Sequence, residues 1–386
     1  MSNMLDYLMW RGDISFENSP VNEVDQLVFA YISYVIMDDF FTEGITVREA
    51  VEKYFEAHTM QEVQKDKSFI HLAPIVLKSA GESVRFGSIK MYNYQNDVNV
   101  SREEQFAAVC LYLDYDNSIQ VAFRGTDDTI IGWKEDFNMS FIMPVPSQCA
   151  ALKYLEKVGA DSGKKLRICG HSKGGNLAVY SAAKCSAAVR EQILSVYNLD
   201  GPGFNKKMLE DEGYIAVQSK ITTIVPQSSV IGMLLEHEEE YTVIKSSQTG
   251  MLQHDGISWQ ALGAKFVYAD DMDTGAKLFD ASLKDWLSEM DNDQRKRFVD
   301  TLFDVLLASN CDTVSEFSKN SLSSMAASVQ AMTSLPEEDR AIFLKTIGLL
   351  MTKISDKIGS NVKKRLNIHF NTQEKSQPLL DNSPKP

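Results

Sequence analysis

The sequence predicts an α/β fold: a mostly parallel sheet flanked by helices, with a helical segment before it and a helical extension after it. Three observations carry that expectation. Short apolar runs at 106–115, 118–123, 166–169, 193–199, 221–226 and 241–244 read as strands, and helical patterns separate most of them. One run, Leu166 to Cys169, passes through Gly170-His171-Ser172-Lys173-Gly174-Gly175 straight into 176–187, an Ala-, Leu- and Val-rich stretch that reads as a helix. The composition, 44% hydrophobic and 24% charged over 386 residues, supplies a core for one large domain with appendages or for two.

In chain order, residues 1–20 are short and mixed and end on the turn signal Asn18-Ser19-Pro20. Val24, Leu27, Val28, Tyr31, Ile32, Val35 and Ile36 recur at helical spacing, which predicts a helix from Val21 to Phe41. Thr46 with Glu49 three residues on is a capping box opening a second helix to about His58. Nothing in this part looks chemical, and 1–75 is expected to pack as a helical segment on a core spanning 76–268. Strand patterning begins after Ser101, with a hairpin of 106–115 and 118–123 turning on Asp116-Asn117. Helices are expected at 129–137 and 148–158, either side of Pro144 and Pro146. The strand 193–199 delivers Asp200, and Gly201-Pro202-Gly203 ends regular structure there. After strands 221–226 and 241–244 comes Gln253-His254-Asp255. The region 269–367 reads as amphipathic helices at 278–290, 294–309, 313–332 and 336–367, and 368–386 as a disordered tail.

The charge balance excludes some function classes. A net charge of -14 and a pI near 5.0 leave no basic face for nucleic acid. The five cysteines (110, 149, 169, 185, 311) lack metal-ligand or disulfide-framework spacing, which fits a reducing compartment. The first residues lack a basic and apolar leader pattern, and no run of about 18 apolar residues appears. The chain is therefore expected to be cytoplasmic, with no transmembrane segment.

Gly-x-Ser-x-Gly between a strand and a helix makes Ser172 the candidate nucleophile. The sharp turn lifts its hydroxyl above the sheet edge and needs small flanking residues so that neighbouring backbone can pass. It also aims the N–H of Lys173 and the helix N-terminus at any anion forming there. Val-Ala-Phe-Arg-Gly-Thr (121–126), Trp133 and Asp136 downstream, and Gly-His-Ser-Lys-Gly-Gly about forty residues later resemble the class 3 (fungal-type) lipase-like group of α/β-hydrolases. Bacterial lipase-like proteins of that group resemble the elbow more closely. The resemblance covers roughly 100–265 and implies that Thr126 lies in the oxyanion hole, opposite the Lys173 N–H. Arg124 reads as structural, in an ion pair.

The class 3 pattern usually has its triad acid just after the strand equivalent to 221–226. The matching position here, Ser228 or a neighbour, carries none. Asp200, one strand earlier, holds the position used by pancreatic-type lipases and is the expected acid, with Asp255 and Glu236 as alternatives. His254 completes the order Ser, acid, His. Of the other histidines, His171 sits inside the elbow pointing away from the Ser172 hydroxyl, and His58, His71 and His369 lie outside the sheet region. His237, the rival, precedes the last strand in an acidic run (Glu236, Glu238–Glu240) that reads as a solvated face.

The expectation is thus a serine hydrolase cleaving carboxylic (acyl) esters. Its catalytic residues would be Ser172, His254 and Asp200, with Thr126 and Lys173 as oxyanion donors, acting on a small-molecule or lipid ester. No metal or organic cofactor is implied, and the sequence assigns no protein partner. Two alternatives stand beside it. One is a weak or inactive hydrolase-fold scaffold that lost its acid. The other is a peripheral-membrane protein docking through its C-terminal helices.

Overall fold

The computed structural model describes residues 2–65 and 71–348, apart from 314–329 and scattered positions of one to three residues after 127. The helices expected at 278–290, 313–332 and 336–367 fall largely outside the described residues, and the tail 368–386 wholly so.

The helices are α1 (Met4–Arg11), α2 (Glu23–Ile32), α3 (Val47–Ala57), α4 (Met60–Lys65), α5 (Ala73–Glu82), α6 (Ile130–Asn138), α7 (Pro146–Ser162), α8 (Lys173–Lys184), α9 (Ala187–Arg190), α10 (Lys206–Leu209), α11 (Glu212–Val217) and α12 (Asn292–Leu307). The strands β1 (Lys90–Asn99), β2 (Glu104–Leu113), β3 (Ser118–Phe123), β4 (Lys165–His171), β5 (Ile193–Leu199), β6 (Ile221–Pro226) and β7 (Tyr241–Ile244) form one sheet in sequential order. The first three are antiparallel, and β3 to β7 run parallel. The predicted α/β architecture is therefore the observed one. Among the described residues, no helix is long and apolar enough to cross a membrane.

Both faces of the sheet are buried, which is why its strands read as continuous apolar runs rather than alternating ones. Val109, Leu111, Ala122, Cys169, Leu199 and Ile224 face a core built with α1, α2 and α5. Phe106, Ala108, Val121, Ile168 and Val196 face the other core, with α7, α8 and α11. Within the N-terminal helices, Arg85 holds Asp25 through two bonds of 2.8 and 2.5 Å, with both side chains fully buried. The α12 helix packs on α6, with Phe137 and Phe303 rings 5.6 Å apart and Lys134 3.0 Å from Asp300.

Three sequence expectations are corrected here. The helix expected over 21–41 stops at Ile32, and Tyr34 leaves the helical path to reach the sheet edge. The hairpin turn is four residues long, 114–117, with Asn117 at φ 55°. Strand pairing starts at β1, ahead of Ser101: this edge strand is too polar to show an apolar signature, and its register shifts between Tyr92 and Gln95. Thr46 and Glu49 do form a capping box at the start of α3.

Candidate active site

The parallel strands present their C-terminal ends on one edge, the position at which open α/β sheets bind ligands. Arg124 to Thr126 follow β3, Ser172 follows β4, Asp200 follows β5 and Gln227 to Ser229 follow β6.

Ser172 sits at φ 58° and ψ −133°, a conformation that costs about 1–3 kcal/mol and persists only where its surroundings hold it. Its N–H donates to the Leu199 carbonyl at 2.9 Å. A β-carbon on Gly170 would overlap the Gly174 main chain, and one on Gly174 would overlap the Phe123 carbonyl. The elbow therefore closes only with glycine at both places. The same tightness brings the 124–126 turn against Ser172: a β-carbon on Gly125 would stand 3.1 Å from Ser172 Cβ. Lys173 opens α8, in the first turn, where main-chain donors have no partner within the helix.

The Ser172 hydroxyl lies 2.9 Å from His254 Nε2, and His254 Nδ1 lies 2.6 Å from Asp200 Oδ2. With a carboxylate at Nδ1, that nitrogen carries the proton, and the Nε2 lone pair faces the hydroxyl. Asp200 is fully buried at φ 55°, and its N–H donates to the Ile224 carbonyl at 2.8 Å. Its other oxygen accepts the Ser229 hydroxyl. The segment after β6 thus contributes a donor that seats Asp200. Ser228 turns elsewhere, donating to Asp273. Gly201-Pro202-Gly203 is held by Asn176, which donates to the Pro202 and Gly203 carbonyls at 3.0 Å each.

The alternatives lie apart from this arrangement. Asp255 accepts the Tyr31 hydroxyl at 2.7 Å and caps the following turn through the Ile257 N–H. Glu236 lies outside the described residues. His237 faces Glu239 and the Gly232 carbonyl, away from Ser172. Glu239 is buried, so the acidic run is not wholly the solvated face expected of it. His171 does point away from the Ser172 hydroxyl: Tyr34 donates to its Nδ1 at 3.0 Å, and its Nε2–H donates to the His254 carbonyl at 2.8 Å. Burial, with the His254 ring beside it, pushes the His171 pKa down to about 3, so it stays neutral. Arg124 is buried and paired with Asp127 at 3.3 Å.

The sequence left several participants unassigned. Tyr31 and Tyr34 come from the N-terminal helical segment that seemed to hold no chemistry, and they brace the loop carrying His254. Tyr31 stood in the sequence only as one member of an apolar helix stripe, and Tyr34, beyond the helix end at Ile32, carried no signal. Around Thr126 and Lys173 lies a polar group that includes the buried Gln105 and Glu135 and the half-buried Asp136. The Thr126 hydroxyl donates to Asp136. Burial pushes the Asp136 carboxyl up to about 6, partly offset by the Lys173 ammonium and that hydroxyl.

Comparison with curated proteins gives no match. Among solved structures, the native Rhizomucor miehei lipase propeptide complex is 13% identical with a TM-score of 0.34, over 48% of this chain and 75% of that one. A deletion mutant of the same complex is 14% identical with a TM-score of 0.35, over 52% and 80%. A family profile described as Mbeg1-like matches residues 80–304. That match spans more than half of the 386 residues, and the chain belongs to the Mbeg1-like family, a lipase-like family.

Proposed function

We propose that the chain is a serine hydrolase of the class 3 lipase-like type that cleaves carboxylic esters. The observation that carries this reading is the unbroken relay Asp200–His254–Ser172, with bonds of 2.6 and 2.9 Å. Ser172 Oγ attacks the acyl carbonyl carbon while His254 Nε2 takes its proton. The N–H groups of Thr126 and Lys173 hold the oxygen as it becomes negative, the term that supplies most of the rate in such sites. Collapse expels the alcohol, which takes its proton from His254. Water then attacks the acyl-enzyme with His254 again as base. Asp200 keeps the imidazole in the productive tautomer and stabilises the imidazolium.

The scaffold reading rested on the absence of an acid at Ser228, and the 2.6 Å contact between Asp200 and His254 favours the hydrolase reading over it. Five free cysteines fit a reducing, cytoplasmic setting. The test is a panel of p-nitrophenyl esters of increasing acyl length. Wild type should turn over at least one member, and Ser172→Ala should lose about 10⁴-fold or more. Unchanged turnover in Ser172→Ala would end the assignment.

A further inference from the structure

Resting on that reading, we propose that the adjacent carboxylates Glu135 and Asp136 form one clamp that sets the spacing of the two oxyanion donors, Glu135 holding the Lys173 ammonium and Asp136 the Thr126 hydroxyl. Both carboxylates belong to α6, the helix that follows the Thr126 loop. They act as positioning residues, because each works through a neighbouring donor residue.

Each contact in the clamp is made by a named atom. Lys173 Nζ donates to the Gln105 carbonyl at 2.9 Å, to Gln105 Oε1 at 2.7 Å and to Glu135 Oε2 at 3.1 Å. All three of its protons have partners, and both Lys173 and Glu135 side chains are fully buried. Glu135 in turn accepts the Gln105 N–H at 3.0 Å and the Ser147 N–H at 2.7 Å. It therefore ties the elbow to β2, α6 and the start of α7 at once. One residue later, Asp136 Oδ2 accepts the Thr126 hydroxyl, while Oδ1 stands 3.9 Å from Lys173 Nζ. Asp136 Oδ1 has no hydrogen-bond partner. It is held between the two residues it positions.

A buried ion pair is an expensive way to fill space, since an apolar pair of equal volume avoids the desolvation cost. Its return here is geometric. An ammonium fixed at three points leaves the Lys173 main chain little freedom, and Lys173 is the residue whose N–H meets the oxyanion. Because Glu135 and Asp136 are neighbours on one rigid helical turn, a shift of one donor carries the other with it. A misplaced donor costs transition-state stabilisation without weakening substrate binding.

The test combines kinetics with amide hydrogen exchange at Thr126 and Lys173. It uses the full chain, with isosteric Glu135→Gln and Asp136→Asn and with the apolar double variant Glu135→Leu, Lys173→Met. Either single variant should lower kcat by about 10- to 100-fold with KM within about threefold. Exchange at both amides should accelerate about tenfold or more, while β5 and β6 stay protected. The double variant should keep its thermal midpoint yet not recover kcat. Unchanged exchange at the two amides in the folded single variants would overturn the clamp. So would a double variant that recovers kcat, because the pair would then serve stability alone. If wild type hydrolyses no ester, the hydrolase reading fails, while the exchange measurement still decides whether the clamp exists.

Discussion

Two histidine–carboxylate pairs among the described residues differ in one contact. His254 meets Asp200 at 2.6 Å and turns its second nitrogen to the Ser172 hydroxyl. His237 meets Glu239 at 3.0 Å and turns its second nitrogen to the Gly232 carbonyl at 2.6 Å. A carbonyl only accepts, so His237 Nε2 carries a proton and has no lone pair to offer a hydroxyl. Glu239 is equally committed, accepting the hydroxyls of Thr223 at 2.6 Å and Tyr214 at 2.5 Å. Burial alone would raise its carboxyl, but His237 and those hydroxyls outweigh burial and hold it down to about 2. The His254 side chain keeps 28% of its surface exposed and His237 only 5%. A base is made by what faces the second nitrogen, not by the presence of a carboxylate at the first.

The two pairs are also linked. Gly232, which His237 holds, packs against the Asp200 carboxylate, where a β-carbon would overlap Oδ1. The His237–Glu239 pair thus anchors the segment that walls in Asp200.

Breaking each carboxylate in turn should separate the roles. Asp200→Asn should leave the fold intact and cut turnover about 10⁴-fold, because the amide favours the wrong His254 tautomer. Thermal unfolding and ester hydrolysis on the same sample check this, and full activity would place the acid elsewhere.

Glu239→Gln should show the opposite pattern, with turnover falling less than tenfold but stability dropping by on the order of 3 kcal/mol, the equivalent of its carboxyl's depression from 4.5 to about 2. The pH dependence sharpens this. A carboxyl depressed from 4.5 to about 2 contributes stability that is fully present above pH 4.5 and is lost as pH falls toward 2. Denaturant midpoints of wild type and Glu239→Gln should therefore converge between those values. Parallel pH curves would contradict the ion pair.

Asp136, a carboxylate without a histidine, should give the smallest effect and the reverse sign. Its carboxyl is raised from 3.8 to about 6, so keeping it ionised costs stability above pH 6, and that cost disappears as pH falls to 3.8. Asp136→Asn should be more stable than wild type at pH 8 by about 1–3 kcal/mol and equal to it near pH 4. A variant less stable at pH 8 would mean that the Thr126 bond outweighs burial.

The parallel half of the sheet and its edge were legible because the chemistry there is local. An elbow needs Gly170, Ser172 and Gly174 in one short stretch, and a buried strand needs an unbroken apolar run such as 193–199. Asp200 was expected from its place at a strand end, and His254 from the chain order Ser, acid, His. Polar networks were not legible, because their partners are distant in sequence: Tyr34 with His171, Ser229 with Asp200, Gln105 and Glu135 with Lys173. No spacing rule links residues 137 positions apart, and the buried Glu239 looks no different in sequence from the exposed Glu240 beside it. The edge strand β1 escaped notice for a related reason, since a half-exposed strand rich in Asn, Gln and Asp has no apolar face to reveal it.

The central claim is that Ser172 is a nucleophile armed by His254 and Asp200. Labelling with a fluorophosphonate probe, followed by mass spectrometry of the adduct, tests it without requiring the natural substrate. Wild type should carry one adduct, on Ser172, absent from Ser172→Ala and formed at least about 10³-fold more slowly in Asp200→Asn. A folded wild-type protein that takes no label at Ser172, or an Asp200→Asn variant labelled at the wild-type rate, would contradict the account.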